Sequence, residues 1–254
     1  MVATGSKLCR VLTVALLVAP GVLSAALIPQ SPDPGTDRPS FTVQVEAAAI
    51  VQRRGEKEFC SGALVSNRII LTALHCVQDL ATGEAATPTS LRVGFGQTVS
   101  DPDTRWTEVA EVLLPAMSYI DAIEDLQGND IALLVLAEVI ELAPFPLPDQ
   151  SPLPEAGVEL ALVGFGEDRY GYVGARHVTS ITVTEATRTG FAFIGGGCLG
   201  DSGGPILDQE GRLVGLVSLG TSRHCVPGKT RFAQPLAPYA DFIVDHLLRT
   251  GENN

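Results

Sequence analysis

Short apolar runs punctuated by Gly, Pro, Asn and Asp recur along most of the chain, a pattern that predicts β-strands rather than helices. Residues 69–72, 91–95, 109–114 and 131–136 form such runs in the first half, and 158–163, 178–184, 213–219 and 231–233 in the second. The expected class is therefore all-β, a barrel or a sandwich. Between the halves, residues 143–157 carry five prolines, at 144, 146, 148, 152 and 154. Proline cannot donate to a strand ladder, so this stretch reads as a connector, with a first barrel over 41–142 and a second over 158–254. One helix is expected at the end, after Pro235 and Pro238. There Tyr239, Phe242, Ile243, His246 and Leu247 recur at three- and four-residue spacing and make one apolar stripe.

The N-terminus has a different texture. Lys7 and Arg10 precede an apolar run over 11–22 that ends at Ser24-Ala25-Ala26, the three parts of a secretory signal peptide over 1–26. The run is too short for a membrane span. Residues 27–40 are rich in proline and polar residues and read as a linker or propeptide. Of the 254 residues, 45% are hydrophobic and 18% charged, which suits a sizeable core and excludes disorder. The formal charge is −12, and losing the two basic residues of the signal makes it −14, a surface that repels nucleic acid and anionic membranes. Five cysteines become four once Cys9 leaves with the signal: Cys60, Cys76, Cys198 and Cys225. An even number in an exported chain predicts two disulfides, with three pairings open. No Cys-x-x-Cys or paired-His spacing argues for a metal.

Three short motifs carry candidate chemistry. Ser202 lies in Gly200-Asp201-Ser202-Gly203-Gly204-Pro205, where glycines permit a tight turn and close approach of a substrate. Successive N–H groups of such a turn can converge on an anion. A serine hydroxyl is a poor nucleophile without a base. Of the four histidines, only His75, in Leu71-Thr72-Ala73-Leu74-His75-Cys76, follows a buried-looking strand and adjoins a cysteine. Its imidazole can take the serine proton and return it to a leaving amine. Asp130, in Gly128-Asn129-Asp130-Ile131-Ala132-Leu133-Leu134, stands at the mouth of an apolar strand. It can orient that imidazole, whereas Asp121 and Asp125 lie in a polar stretch.

These motifs, in the order His, Asp, Ser, resemble the chymotrypsin/trypsin family of serine proteases. Phe59-Cys60-Ser61-Gly62-Ala63-Leu64-Val65, Leu162-Val163-Gly164-Phe165-Gly166 and Val217-Ser218-Leu219-Gly220 resemble further landmarks of that family, and the likeness runs from about Ala48 to the final helix. The resemblance implies two six-stranded antiparallel β-barrels with a C-terminal α-helix. It implies a secreted serine endopeptidase, extracellular or periplasmic, needing no cofactor or metal and acting as a monomer. Its expected partners are protein or peptide substrates and protein protease inhibitors, not nucleic acid or, once the signal is removed, membrane. Ser202 would be the nucleophile, His75 the base, Asp130 the orienting acid, and the N–H groups of Gly200 and Ser202 the oxyanion hole. The implied disulfides are Cys60 to Cys76 and Cys198 to Cys225; the first closes a loop of about fifteen residues, worth roughly 3 kcal/mol.

Two departures from the family pattern stand out. The implied substrate pocket involves Gly196, Gly197, Ser218, Leu219, Gly220 and Gly228, with Gly196 where trypsin-like members carry an acid. That predicts apolar preference, although Arg223 and Lys229 would favour acidic residues if they reached inward. Family zymogens are cut before an Ile-Val-Gly-Gly-like start whose amine pairs with the acid matching Asp201. No such start exists here; the expected terminus falls near 34–40, where Arg38-Pro39 is a poor cleavage site. Asp201 is then expected to pair with another terminus or with a group inside the fold. Two other readings compete: a catalytically silent protease-like binding module, and an α/β-hydrolase esterase suggested by Gly200-x-Ser202-x-Gly204.

Overall fold

A computed structural model describes residues 1, 39–78, 84–115, 129–148, 153–168, 170–222 and 224–249. The expected signal peptide and most of the expected linker, Asp121, Asp125 and Arg223 lie outside the described residues.

Among the described residues twelve strands close into two barrels in which every pairing is antiparallel. The first comprises β1 (Ala48–Arg53), β2 (Phe59–Leu64), β3 (Ile69–Thr72), β4 (Leu91–Phe95), β5 (Arg105–Leu113) and β6 (Ala132–Leu136), in the order β1-β2-β3-β6-β5-β4. The second comprises β7 (Glu159–Gly164), β8 (His177–Thr187), β9 (Gly190–Ile194), β10 (Pro205–Leu207), β11 (Leu213–Gly220) and β12 (Arg231–Pro235), in the order β10-β11-β12-β9-β8-β7. This is the expected pair of six-stranded barrels, and it excludes the α/β-hydrolase reading. After Ser202 the chain enters the short strand β10 rather than a helix.

Four of the twelve strands were not expected from the sequence pattern, and each has a local reason. β1 is alanine-rich and buried along nearly its whole length, so it shows no alternation. β2 carries Cys-Ser-Gly after its first residue, Phe59, which interrupts the apolar run, and β9 leads into three consecutive glycines. β10 is three residues long and starts on Pro205, a position where a missing N–H is tolerated.

The connector contains no strand among its described residues, yet it is pinned at both barrels. Phe145 donates its N–H to the Leu64 carbonyl (2.8 Å), and Leu213 donates to Pro146 (2.9 Å). One core fills the first barrel and continues through Ala161, Val163, Phe165, Leu207 and Leu216 against the second. A smaller core built on Phe191, Phe193, Ile181 and Val217 fills the second. The final helix, α2 (Ala240–Arg249), buries Ile243 and packs Phe242 and Leu247 on the larger core, as its stripe predicts; Tyr239 is buried in the short turn before it. Among the described residues no helix is long and apolar enough to cross a membrane.

Candidate active site

His75 stands on α1 (Leu74–Val77), a single helical turn that breaks out of the buried strand β3. A disulfide joins its neighbour Cys76 to Cys60 in β2, so the turn is tied to the adjoining strand. Asp130 immediately precedes the apolar end of β6 and is completely buried. Its two oxygens grip His75 twice: the backbone N–H donates to Oδ1 (2.9 Å), and Nδ1 lies 2.8 Å from Oδ2. With Nδ1 committed to the carboxylate, Nε2 is the nitrogen left to accept a proton.

The carboxylate is supported from two further directions. The hydroxyl of Ser218, in β11, donates to Asp130 Oδ2 at 2.5 Å. The Tyr239 hydroxyl donates to Oδ1 of neighbouring Asn129 at 2.6 Å, tying the Asp130 segment to the turn before α2. Burial and the Asp130 charge push the Tyr239 hydroxyl up to about 12, so it is a dependable donor. At Asp130 burial opposes ionisation, but the His75 charge, the hydrogen bonds from His75 and that from Ser218 outweigh it and hold the carboxyl below its ordinary range. At His75 burial opposes the charged form, yet the charge and hydrogen bond of Asp130 raise the imidazole above its ordinary value.

Ser202 lies in the turn that precedes β10. Its carbonyl accepts from the Ser61 N–H (2.8 Å), and its hydroxyl makes a longer bond of 3.3 Å to the Ser218 carbonyl. Gly200 has φ +98°, and a β-carbon there would lie 2.9 Å from the Gly166 backbone, so only glycine fits this turn. Gly203 has φ +78° and approaches β2 and β3 as closely: a β-carbon would meet the Ala73 nitrogen at 2.7 Å. The second disulfide joins Cys198, just before the turn, to Cys225.

His75, Ser202 and Gly200 line one open cleft of about 400 Å³. Of the six residues expected to form the substrate pocket, Gly197, Ser218, Leu219 and Gly220 line it. Gly196 instead packs towards Thr179, and Gly228 sits in an open turn with φ +73°. Lys229 is exposed and is not part of the cleft wall. Among the described residues the potential metal-ligand cluster is Cys60, His75 and Cys76, and both sulfurs there are spent in the disulfide.

Three contributors lack a sequence signal of their own. Ser218 was expected only as pocket wall, but its hydroxyl serves Asp130. Ser61 stitches the barrels together: besides its N–H bond to Ser202, its hydroxyl donates to the Gly200 carbonyl (2.8 Å) and accepts from the Phe165 N–H (3.0 Å). Arg231, in β12, is buried between Gly197 and Gly220. Its Nε donates to the Gly197 carbonyl (2.5 Å) and its Nη2 to the His224 carbonyl (2.9 Å). A β-carbon on Gly220 would lie 2.9 Å from Arg231 Nε, so this side chain occupies the slot that two glycines open.

A family model described as Trypsin matches residues 37–243. The chain is 28% identical over 205 residues to phenoloxidase-activating factor 1 of Holotrichia diomphalia, covering 66% of this chain and only 56% of that protein. It is 28% identical over 217 residues to the cercarial protease of Schistosoma mansoni, covering 76% of this chain and 82% of that protein. Human granzyme M is 28% identical over 221 residues, covering 77% of this chain and 81% of its own.

Proposed function

The chain belongs to the trypsin family of serine proteases, and on that premise we propose that it is an exported serine endopeptidase acting through Ser202, His75 and Asp130. The observation that carries the reading is the pair His75–Asp130, joined at 2.8 Å with the carboxylate wholly buried. That pairing orients one imidazole tautomer and leaves Nε2 basic.

The Ser202 hydroxyl attacks the carbonyl carbon of a peptide bond as its proton passes to His75 Nε2. The resulting oxyanion is received by the N–H groups of Gly200 and Ser202, which donate to no protein acceptor among the described residues. Collapse of the tetrahedral intermediate breaks the C–N bond, and His75 returns the proton to the departing amine. Water then attacks the acyl-serine by the same route in reverse, releasing the acid and restoring the hydroxyl. Asp130 stabilises the imidazolium at each stage without taking its proton. The cleft favours a small or medium apolar side chain before the cleaved bond, because Arg231 fills the space beyond Gly197 and Gly220. The Lys7–Ala26 pattern of the sequence supports export.

A fluorophosphonate probe tests this reading: it should label the wild-type protein and fail on Ser202→Ala. Absence of labelling on folded wild-type protein would favour a silent, protease-like binding module instead.

A further inference from the structure

Asp201 is a second buried carboxylate, and nothing in the chemical steps above uses it. It is completely buried between Gly200 and Ser202, the two residues whose N–H groups receive the oxyanion. Its Oδ1 accepts from the Gly166 N–H (2.8 Å), and its Oδ2 accepts from the Cys198 N–H (2.9 Å). Two amide dipoles solvate a carboxylate but do not neutralise it, and a buried charge without a counter-charge is strongly unfavourable. Among the described residues the cation within ion-pair distance is His177, whose Nε2 lies 3.4 Å from Oδ1.

The geometry around the ring sets its protonation. Nδ1 lies 3.3 Å from the Ala175 carbonyl while Nε2 faces the carboxylate. Both partners are acceptors, and a neutral imidazole has only one N–H, so only the imidazolium serves both. The fold makes room for this pair. His177 is the first residue of β8 and lies opposite Gly164 of β7. A β-carbon on Gly166 would lie 2.5 Å from the Asp201 Cγ, so larger residues there would expel the carboxylate. Ser40, near the start of the described stretch 39–78, donates its N–H (3.0 Å) and its hydroxyl (2.7 Å) to Glu159, at the opposite end of β7 from Gly164.

We propose that His177 is a positioning residue for the protease reaction, a built-in cation that fixes Asp201 and thereby holds the Gly200–Ser202 turn in its oxyanion-accepting form without a freed chain terminus. This rests on the protease reading above. The charged neighbours are consistent with it. Asp168, on the loop after β7, adds a second attraction for the imidazolium. Arg176, beside His177 in sequence, answers to Glu46, and Glu167 is engaged by His224 at 2.9 Å. Arg231 feels the Asp201 charge but spends its bonds on carbonyls. Burial opposes the charged imidazole, and the charge and hydrogen bond of Asp201, with the Ala175 carbonyl and Asp168, overcome that and raise its pKa. The ion pair is therefore complete below the ordinary imidazole value and is lost as pH rises through the raised one.

The test compares the full wild-type chain with His177→Gln, His177→Lys and Asp201→Asn. In NMR the His177 ring should titrate above the ordinary value of about 6.5 and fall back towards it in Asp201→Asn. Loss of an ordered oxyanion donor suggests that His177→Gln lowers kcat/KM and the rate of Ser202 labelling by about a hundredfold. His177→Lys should recover most of that loss and carry the alkaline limb of the pH profile upwards, which a merely structural histidine would not do. A His177 that titrates at or below its ordinary value overturns the proposal. So does a Gln variant within about threefold of wild type, or a chain that reacts only after its N-terminal segment is cut at a new amine. Wild-type protein that neither labels nor hydrolyses, with His177 still titrating high through Asp201, would sink the protease reading and support the pairing.

Discussion

Two imidazole–carboxylate pairs bear on Ser202, one through the cleft it lines and the other through its neighbour Asp201, and the roles proposed for them are opposite. In both, the carboxylate is completely buried and the imidazole pKa is raised. At His75 the carboxylate takes Nδ1, and Nε2 belongs to the cleft that Ser202 also lines. At His177 the carboxylate faces Nε2, and a backbone carbonyl faces Nδ1. The first pair leaves a nitrogen to exchange protons; the second leaves none. A base must shed its proton to work, and a fixed cation must keep it. What separates the two roles is the group facing the second nitrogen.

The comparison breaks most visibly at Asp130. Replacing it with Asn should cut kcat by about four orders of magnitude through loss of the productive tautomer, while Asp201→Asn should cost about two to three, the scale of an oxyanion donor. Steady-state kinetics on both variants measures the gap, and equal losses would remove the distinction. The pH profile separates the pairs next. Activity should rise as His75 loses its proton and fall as His177 loses its own, so Asp201→Asn should move only the alkaline limb. Stability follows the same signs. Each raised imidazole contributes stability in full below its unfolded value, and that contribution disappears as pH climbs through the folded one. The depressed Asp130 carboxyl contributes above its unfolded value and is lost as pH falls through the lowered one. Urea midpoints across pH should accordingly decline at both ends.

Smaller effects sharpen the contrast. Opening the Cys198–Cys225 disulfide by a double Cys→Ser change should cost about 3.5 kcal/mol of stability, the chain-entropy value for its sequence separation of 27. That bond brackets the Asp201 turn, so labelling should slow more than for Cys60–Cys76, which brackets His75. Ser218→Ala removes a charge-assisted bond to Asp130, roughly 1.5–3 kcal/mol, and should raise the acid limit of stability while leaving the alkaline limb in place. Arg54→Ala, at a pair with both side chains substantially exposed, should change stability by less than about 0.5 kcal/mol.

Much of this architecture is legible in the residues, and the illegible parts share a cause. The strands β3 and β4 fall where their apolar runs predict, because nearly every position in them is buried and most carry large apolar side chains. Ser202, His75 and Asp130 each stand in a short stretch whose neighbours signal something unusual: flanking glycines, a cysteine beside the end of a strand, a lone acid before an apolar run. His177 has no such surroundings. Arg176-His177-Val178 reads as an ordinary strand start, and its meaning lies in Asp201, 24 positions away. The hydrogen-bond partners of Ser61, Ser218 and Arg231 are silent for the same reason. They are long-range and arrive only when the barrels close, so no window of neighbouring residues contains the information. The glycines near Gly166 are an intermediate case: their presence suggests close approach, but not to which carboxylate.

The stitch at Ser61 makes the Ser202 turn a joint product of the two barrels. A β2 residue of the first barrel holds the carbonyls of Gly200 and Ser202 and the N–H of Phe165, all from the second. A second barrel folded by itself therefore has an unfinished nucleophile turn, and a first barrel by itself has only a base. On the protease reading, hydrolytic capacity belongs to the docked pair of barrels and to neither half alone.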